Sequence, residues 1–282
     1  MPYQDAQFQE AERVAQAAYD SPDAGAFYSQ IWGGDDIHLG IYTSNDESIA
    51  QASRRTMQHM VTKLHQDDIN YAIDLGSGYC GAARFLAQQL DAEVLAVNLS
   101  PEQNRRAKKL NENAGLAPRI MVVDASYNDV PADDEVAELV WSQDAFLHAP
   151  QRDKPIAEAA RILKPGGEFI FTDPMAADGV SASDLSGVLE RLNLSSLASP
   201  SEYKKLAAEA GLEFVAFDDR SDMLPIHYGR VLEETQNNTD ELLNTASQQY
   251  LDAMMTGLQH WVDAGNRGLL SWGIFHFRKP AA

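Results

Sequence analysis

Tyr71-Ala-Ile-Asp-Leu-Gly-Ser-Gly-Tyr-Cys-Gly81 reads as a short buried strand that runs into a glycine-rich turn and then a helix. Glycines at such a turn let the backbone approach a ligand closely. In α/β proteins that ligand sits in the crevice beyond the carboxyl ends of parallel strands. Asp74 places a carboxylate at that end, two residues before the first glycine.

Outward from this loop the chain alternates. Strands are expected over 73–75, 93–98, 119–124, 136–142, 168–172, 212–217 and 269–277. Helices are expected over 46–65, 82–90, 101–113, 152–163, 201–210 and 228–264. Asn45 or Asp46 suits the first helix cap, and Ser100-Pro101 opens the third helix with proline at its first position. Lys164-Pro-Gly-Gly167 is a helix stop. Strands alternating with helices at this spacing call for an α/β fold, a mainly parallel sheet covered by helices on both faces. Two stretches do not fit the alternation. Residues 1–45 are expected to form an N-terminal lid, and about 176–199 a cap insertion within a domain spanning 46–282.

Composition narrows the function classes. The 282 residues hold 42 acidic and 22 basic side chains, a net charge of −20. Nucleic acid and anionic membrane reward positive surface, so neither is an expected partner. Acidic pairs such as Asp35-Asp36, Asp67-Asp68 and Asp218-Asp219 are dispersed, as on a surface suited to a salty cytoplasm. No run of eighteen apolar residues suggests a membrane span, and the polar, acidic start does not read as a signal peptide. The single cysteine, Cys80, excludes an internal disulfide and a thiolate-rich metal centre; it reads as a packing residue, and no metal site is expected. A cytoplasmic protein, monomeric or homodimeric, is the expectation.

The glycine turn alone admits several ligands. A phosphate loop is ruled out because no Gly-Lys-Ser/Thr follows, whereas Gly76, Gly78 and Gly81 satisfy the spacing of a nicotinamide-dinucleotide fingerprint. Asp74 argues against the dinucleotide, since a carboxylate there repels pyrophosphate and suits a cationic amino-acid group. The later strand ends, Asn98, Asp124 and Ser142-Gln143-Asp144, offer polar groups for a ribose, an adenine and a substrate.

With Asp74-Leu-Gly-Ser-Gly-Tyr-Cys-Gly81, Val97-Asn98-Leu-Ser100, Val123-Asp124-Ala125 and Leu163-Lys-Pro-Gly-Gly167 in this order, the chain resembles the class I S-adenosylmethionine-dependent methyltransferases over about residues 70–218. The resemblance implies a Rossmann-like, seven-stranded fold and S-adenosyl-L-methionine as cofactor, leaving S-adenosyl-L-homocysteine. It assigns cofactor contacts to Asp74, Gly76, Ser77 and Gly78 in the first loop. It adds Asn98, Leu99 and Gln103 after the second strand, Asp124 and Ala125 after the third, and Ser142 and Gln143 after the fourth. Many members carry an acid where Asn98 stands; an amide oxygen still accepts from a hydroxyl.

Phe27-Tyr28 through Trp32 to Tyr42, together with Trp141-Ser-Gln-Asp-Ala-Phe-Leu-His148, is similar to the sarcosine/dimethylglycine N-methyltransferases of glycine betaine synthesis. The second of these segments is also similar to phosphoethanolamine methyltransferases. By that resemblance Asp144 and His148 form a catalytic dyad, on one face if the segment is helical, and the acceptor is a small amine with a carboxylate. Tyr28, Trp32 and Tyr42 would then form an aromatic wall for a methylated nitrogen. Arg191 or Arg230 would take the carboxylate, and His227, Tyr228 and Met175 would line the pocket. Glycine, phosphoethanolamine or another metabolite remains an alternative acceptor, and an NAD-binding oxidoreductase is the reading from another class.

Overall fold

The computed structural model describes residues 13, 21–32, 36–44 and 46–281. Tyr19, Asn45 and the glycines of Trp32-Gly-Gly-Asp-Asp lie outside the described residues, as does most of the expected lid before residue 21. The chain forms two compact units. The first comprises Met1–Thr56, Pro174–Pro200 and Asp219–Gly273, and the second Met57–Asp173, Ser201–Asp218 and Ile274–Ala282.

The strands, in chain order, are β1 Tyr71–Leu75, β2 Glu93–Asn98, β3 Ile120–Asp124, β4 Ala137–Gln143, β5 Leu163–Thr172, β6 Met175–Ala176, β7 Glu213–Asp219, β8 Leu270–Ser271 and β9 Gly273–Arg278. Seven of them make one sheet in the order β3-β2-β1-β4-β5-β9-β7. The pairs β1–β2, β2–β3, β1–β4 and β4–β5 are parallel, and β9 runs antiparallel to β5. Ile73 faces Leu95 on one side and Val140 on the other, and all three are buried. Runs of this kind, apolar on both faces, are what a helix-covered parallel sheet requires. Strand order reverses between β1 and β4, which opens the ligand crevice at their carboxyl ends.

Helices α1 Pro22–Ile31, α2 Ile49–Val61, α3 Gly81–Gln89, α4 Pro101–Asn113, α5 Asp153–Ile162, α6 Ser186–Arg191, α7 Pro200–Glu209, α8 Met223–Asn237, α9 Thr239–Leu242 and α10 Gln248–Asn266 complete the fold. Small residues let α3 lie close to the sheet: Ala82, Ala83 and Ala87 are buried beside Phe85 and Leu86. Helix α4 starts as its sequence demands, with Ser100 Oγ accepting from Gln103 N and Pro101 at the first helical position.

Several boundaries differ from the sequence reading for identifiable reasons. The helix expected over 46–65 is α2 alone. Ser48 Oγ accepts from Gln51 N at its start, and past its end the amides of His65 and Gln66 turn to Glu168. Strand β5 begins at Leu163 rather than 168. Gly166 N and Gly167 O bond Lys279, so the Lys-Pro-Gly-Gly segment ends the helix and at once runs extended. The helix expected over 228–264 starts earlier and breaks twice, and Ser247 caps the restart at α10. The strand expected over 269–277 breaks at Trp272. Its first part, β8, pairs antiparallel with β6 inside the first unit, while β9 joins the large sheet. The cap segment holds a short 3-10 helix, Ala182–Leu185, started by a Ser181/Asp184 capping box, followed by α6.

Candidate active site

In the second unit the glycine loop is built to bring backbone close. Gly76 N and Ser77 N both donate to Val97 O, which folds the loop over the end of β2. Gly76 has φ +77°, and a Cβ there would lie 2.5 Å from that of Ala145, so only glycine fits. Gly78 and Cys80 also take positive φ, and Cys80 begins α3 fully buried. Burial pushes its thiol up to about 12, so it stays protonated and inert, as a packing residue should.

Asp74 is the loop's unusual group. It is buried, its Oδ2 has no hydrogen-bond partner, and burial raises its pKa to about 7 against the help of the Ala83 amide. An unpaired buried carboxylate is costly to a fold. Its presence at the switch point is explained by a cationic ligand that completes it.

The next strand ends carry an amide network. Asn98 Nδ2 donates to Gln103 Oε1 and Asn104 Oδ1, each at 3.1 Å. Asn104 Nδ2 in turn donates to Asn98 O at 2.9 Å and to Asp124 Oδ1 at 2.7 Å. With its amide nitrogen so committed, Asn98 presents its oxygen as an acceptor. Ala125 N is committed to Asn98 O, and the Ser142 hydroxyl to Leu75 O at 2.7 Å. Ser142 therefore clamps β4 to β1. Gln143 accepts from Trp141 Nε1 at 3.1 Å, while its own Nε2 is buried with no partner. Leu99 is half-buried beside this set.

Asp144 and His148 do not share an α-helical face. Asp144 takes φ +51°, and only a three-residue 3-10 turn, Phe146–His148, follows. The cause is anchoring to the end of β5. Asp144 N donates to Thr172 O at 2.8 Å, and Thr172 Oγ1 donates to Asp144 Oδ1 at 2.9 Å. Leu147 N donates to Asp173 Oδ1 at 3.0 Å, and Tyr203 Oη donates to Asp173 Oδ2 at 2.6 Å. Asp173 is fully buried, and burial, with the Asp144 charge adding, raises it to about 8 despite those bonds. Both dyad side chains are half-buried on this pinned turn.

The first unit contains an aromatic cluster centred on His227. Trp32 lies 5.3 Å from its ring, Tyr228 5.6 Å and Tyr42 5.9 Å, and Tyr28 packs 5.3 Å from Trp32. His227 is fully buried, and burial lowers its pKa to about 3, with the Arg191 charge contributing. Gly40 N donates to its Nδ1 at 3.1 Å, so Nδ1 is the acceptor and the ring proton sits on Nε2. Tyr42 Oη, also at 3.1 Å, donates to the same nitrogen. Gly40 reaches this position because no side chain separates it from Ala52, whose Cβ would be 2.4 Å from an added one. The Nε2–H is buried without a partner.

The two arginines are distinguishable. Arg230 pairs with Glu233 and Glu234 of its own helix through its terminal nitrogens, while its Nε is buried with no hydrogen-bond partner. Arg191 instead lies 5.4 Å over Tyr228 and 6.0 Å over Trp261, with Nε 3.5 Å from Met254 Sδ. It packs on Gly257, where a Cβ would collide with it, and borders an open groove of about 540 Å³. Met175 is buried in β6 opposite Ser271, a packing position.

A methyltransferase-domain family profile matches residues 73–171. The chain is 45% identical to the sarcosine/dimethylglycine N-methyltransferase of Halorhodospira halochloris, over 96% of this chain and 97% of the relative. It is 49% identical to the dimethylglycine N-methyltransferase of Parasynechococcus marenigrum over the same shares. The chain belongs to the sarcosine/dimethylglycine N-methyltransferases. A crystal structure from Galdieria sulphuraria, provisionally assigned as a sarcosine dimethylglycine methyltransferase, superposes with a TM-score of 0.88 at 37% identity, covering 94% of this chain and 99% of that one.

The cofactor of this family, S-adenosyl-L-methionine, fits the residues present. Asp74 Oδ2 is a buried carboxyl oxygen without a partner, suited to a cationic group, and Gln143 Nε2 is a buried donor without one. Sequence reasoning missed the supports of this methyltransferase site. Asn104 ties the ends of β2 and β3, Thr172 and Asp173 pin the dyad turn, and Trp261 backs Arg191. Asp173 was legible only as a strand end; Tyr203, 30 residues away in the chain, gave no signal of its own.

Proposed function

We propose that this enzyme transfers methyl groups from S-adenosylmethionine to the nitrogen of sarcosine and of dimethylglycine, ending at glycine betaine. The observation that carries the reading is 45% and 49% identity, over nearly the whole chain, to relatives named for those acceptors. Both acceptors are small amines bearing a carboxylate. Among the described residues no helix is long and apolar enough to cross a membrane.

When bound, S-adenosylmethionine supplies an electrophilic methyl on a positively charged sulfur. Asp74, Gly76, Ser77 and Gly78 would hold its amino-acid part, Asn98, Leu99 and Gln103 its ribose, and Asp124, Ala125 and Gln143 its remaining polar edge. Both acceptors are ammonium ions near neutral pH and attack only as free amines. His148 takes the ammonium proton, and Asp144, held by Thr172, draws the cationic amine into place. The nitrogen lone pair then forms the new N–C bond as the C–S bond breaks.

Within the first unit, the His227 Nε2–H and the Arg191 guanidinium are donors of the kind a carboxylate needs. Trp32, Tyr42 and Tyr228 pack around His227, with Tyr28 against Trp32, and aromatic rings of this kind attract alkylated ammonium groups by about 0.5–2 kcal/mol each. A neutral His227 suits this role, because an imidazolium there would repel the charge that methylation creates. The test is an assay with methyl-labelled cofactor against glycine, sarcosine, dimethylglycine and phosphoethanolamine. Label in dimethylglycine from sarcosine and in betaine from dimethylglycine is the expected pattern; no turnover of either overturns the proposal.

A further inference from the structure

Three residues distant in sequence meet on the second unit, away from the strand ends that carry the loop and the dyad. Glu168 on β5 and His276 on β9 are diagonal neighbours in the antiparallel ladder, His276 opposite Ile170 and Glu168 opposite Arg278. His65 lies in the turn past α2. Glu168 stands four residues before Thr172, so about 13 Å of strand at 3.3 Å per residue separates it from the carboxyl end of the sheet.

Each of the three offers one ligand atom, and these atoms lie within 4.8 Å of one another. Glu168 and His276 are both 1% exposed, whereas His65 is open to solvent. Glu168 Oε1 accepts from His65 N at 3.0 Å and Gln66 N at 2.7 Å, and Oε2 also accepts from His65 N at 3.1 Å. His276 Nε2 lies 2.5 Å from Glu168 Oε2, and the His65 and His276 rings pack 5.1 Å apart. Two imidazoles and one carboxylate are the nitrogen and oxygen donors favoured by zinc-like dications. A carboxylate oriented by backbone N–H groups is the support such ligands usually have.

We propose that His65, Glu168 and His276 bind a zinc-class transition-metal dication, with solvent completing the shell at the exposed His65 side. Neighbouring ligand atoms in a tetrahedral zinc shell lie about 3.4 Å apart, so His276 Nε2 and Glu168 Oε2, now 2.5 Å apart, open by about 1 Å to admit the ion while the His65 ring closes on it. The exposed His65 side chain supplies the closing movement, and the ion replaces the direct His276–Glu168 hydrogen bond as their side chains part. His276 turns the Nε2 lone pair to the metal; a neutral ring then carries its proton on Nδ1 with no net release, and a proton leaves to solvent only from an imidazolium. The bound ion joins the turn after α2 to β5 and β9, and it takes no part in methyl transfer.

The test uses the full chain freed of metal by chelation and titrated with cobalt(II) as a spectroscopic probe. One equivalent should produce visible ligand-field absorption, zinc(II) should displace it, and zinc(II) should raise the melting temperature. His65→Ala, at an exposed position, should keep the metal-free melting temperature and the methylation rate while binding cobalt at least tenfold more weakly. His65→Cys should restore tight binding with a thiolate band. Absence of ligand-field absorption in the wild type, or equal cobalt affinity in His65→Ala, overturns the proposal and leaves the trio a hydrogen-bonded pair with an imidazole packed on it.

Discussion

Replacing Asp74 with Asn separates the stability of the fold from the binding of the cofactor. Burial raises the Asp74 carboxyl from 3.8 to about 7 in the ligand-free protein. A carboxyl whose folded pKa lies above its unfolded value contributes fully at low pH. That contribution is lost as pH rises from about 4 through about 7 and stays lost above. Three units at 1.36 kcal/mol each set a ceiling of about 4 kcal/mol on the penalty at pH 8. Asparagine keeps an acceptor for the Ala83 amide and never ionises, but its buried NH2 costs about 1–3 kcal/mol where it finds no partner. The ligand-free variant should therefore be more stable than wild type at pH 8 by about 1–3 kcal/mol, with the difference shrinking or reversing at pH 4. Binding of S-adenosylmethionine should weaken about 10- to 100-fold, the worth of a charge-assisted contact. Urea unfolding at both pH values and calorimetric titration measure the two halves. A variant that is less stable at pH 8, or that binds the cofactor as tightly as wild type, refutes the reasoning.

His148→Ala should lower turnover of dimethylglycine about 100-fold or more while S-adenosylhomocysteine affinity stays within about twofold, measured by steady-state kinetics and calorimetry. His227→Phe keeps a flat ring but removes the Nε2–H. It should raise KM for dimethylglycine about tenfold and leave cofactor affinity unchanged, and because the imidazole titrates near 3, wild-type KM should carry no His227 transition between pH 6 and 9. Tyr203→Phe strips the hydroxyl from buried Asp173, which should cost about 1–3 kcal/mol in urea unfolding and reduce turnover more than cofactor affinity.

The fold was legible because its signals are local. Glycines 76, 78 and 81, the Ser100-Pro101 cap and the apolar strand runs each state their structure within a few residues. What escaped depends on pairing across the chain. Strand β5 starts early because Lys279, more than a hundred residues later, bonds Gly166 and Gly167. The last strand splits at Trp272 because β6 claims its first part. In the site, Asp74 and the aromatic positions follow from motif and resemblance. That Asp74 Oδ2 lacks a partner and that His227 carries its proton on Nε2 are facts of three-dimensional neighbours. The dyad shows the limit most clearly. Spacing of four suggested a helix face, whereas Thr172 and Asp173 impose a positive-φ turn that no local propensity announces.

The most direct test of the account is the identity of the product formed from dimethylglycine and methyl-labelled S-adenosylmethionine, read by mass spectrometry. Glycine betaine carrying one labelled methyl group, formed by wild type and nearly abolished in His148→Ala, is the predicted result. Unchanged dimethylglycine with wild-type enzyme that demonstrably binds the cofactor, or equal betaine from both proteins, contradicts it.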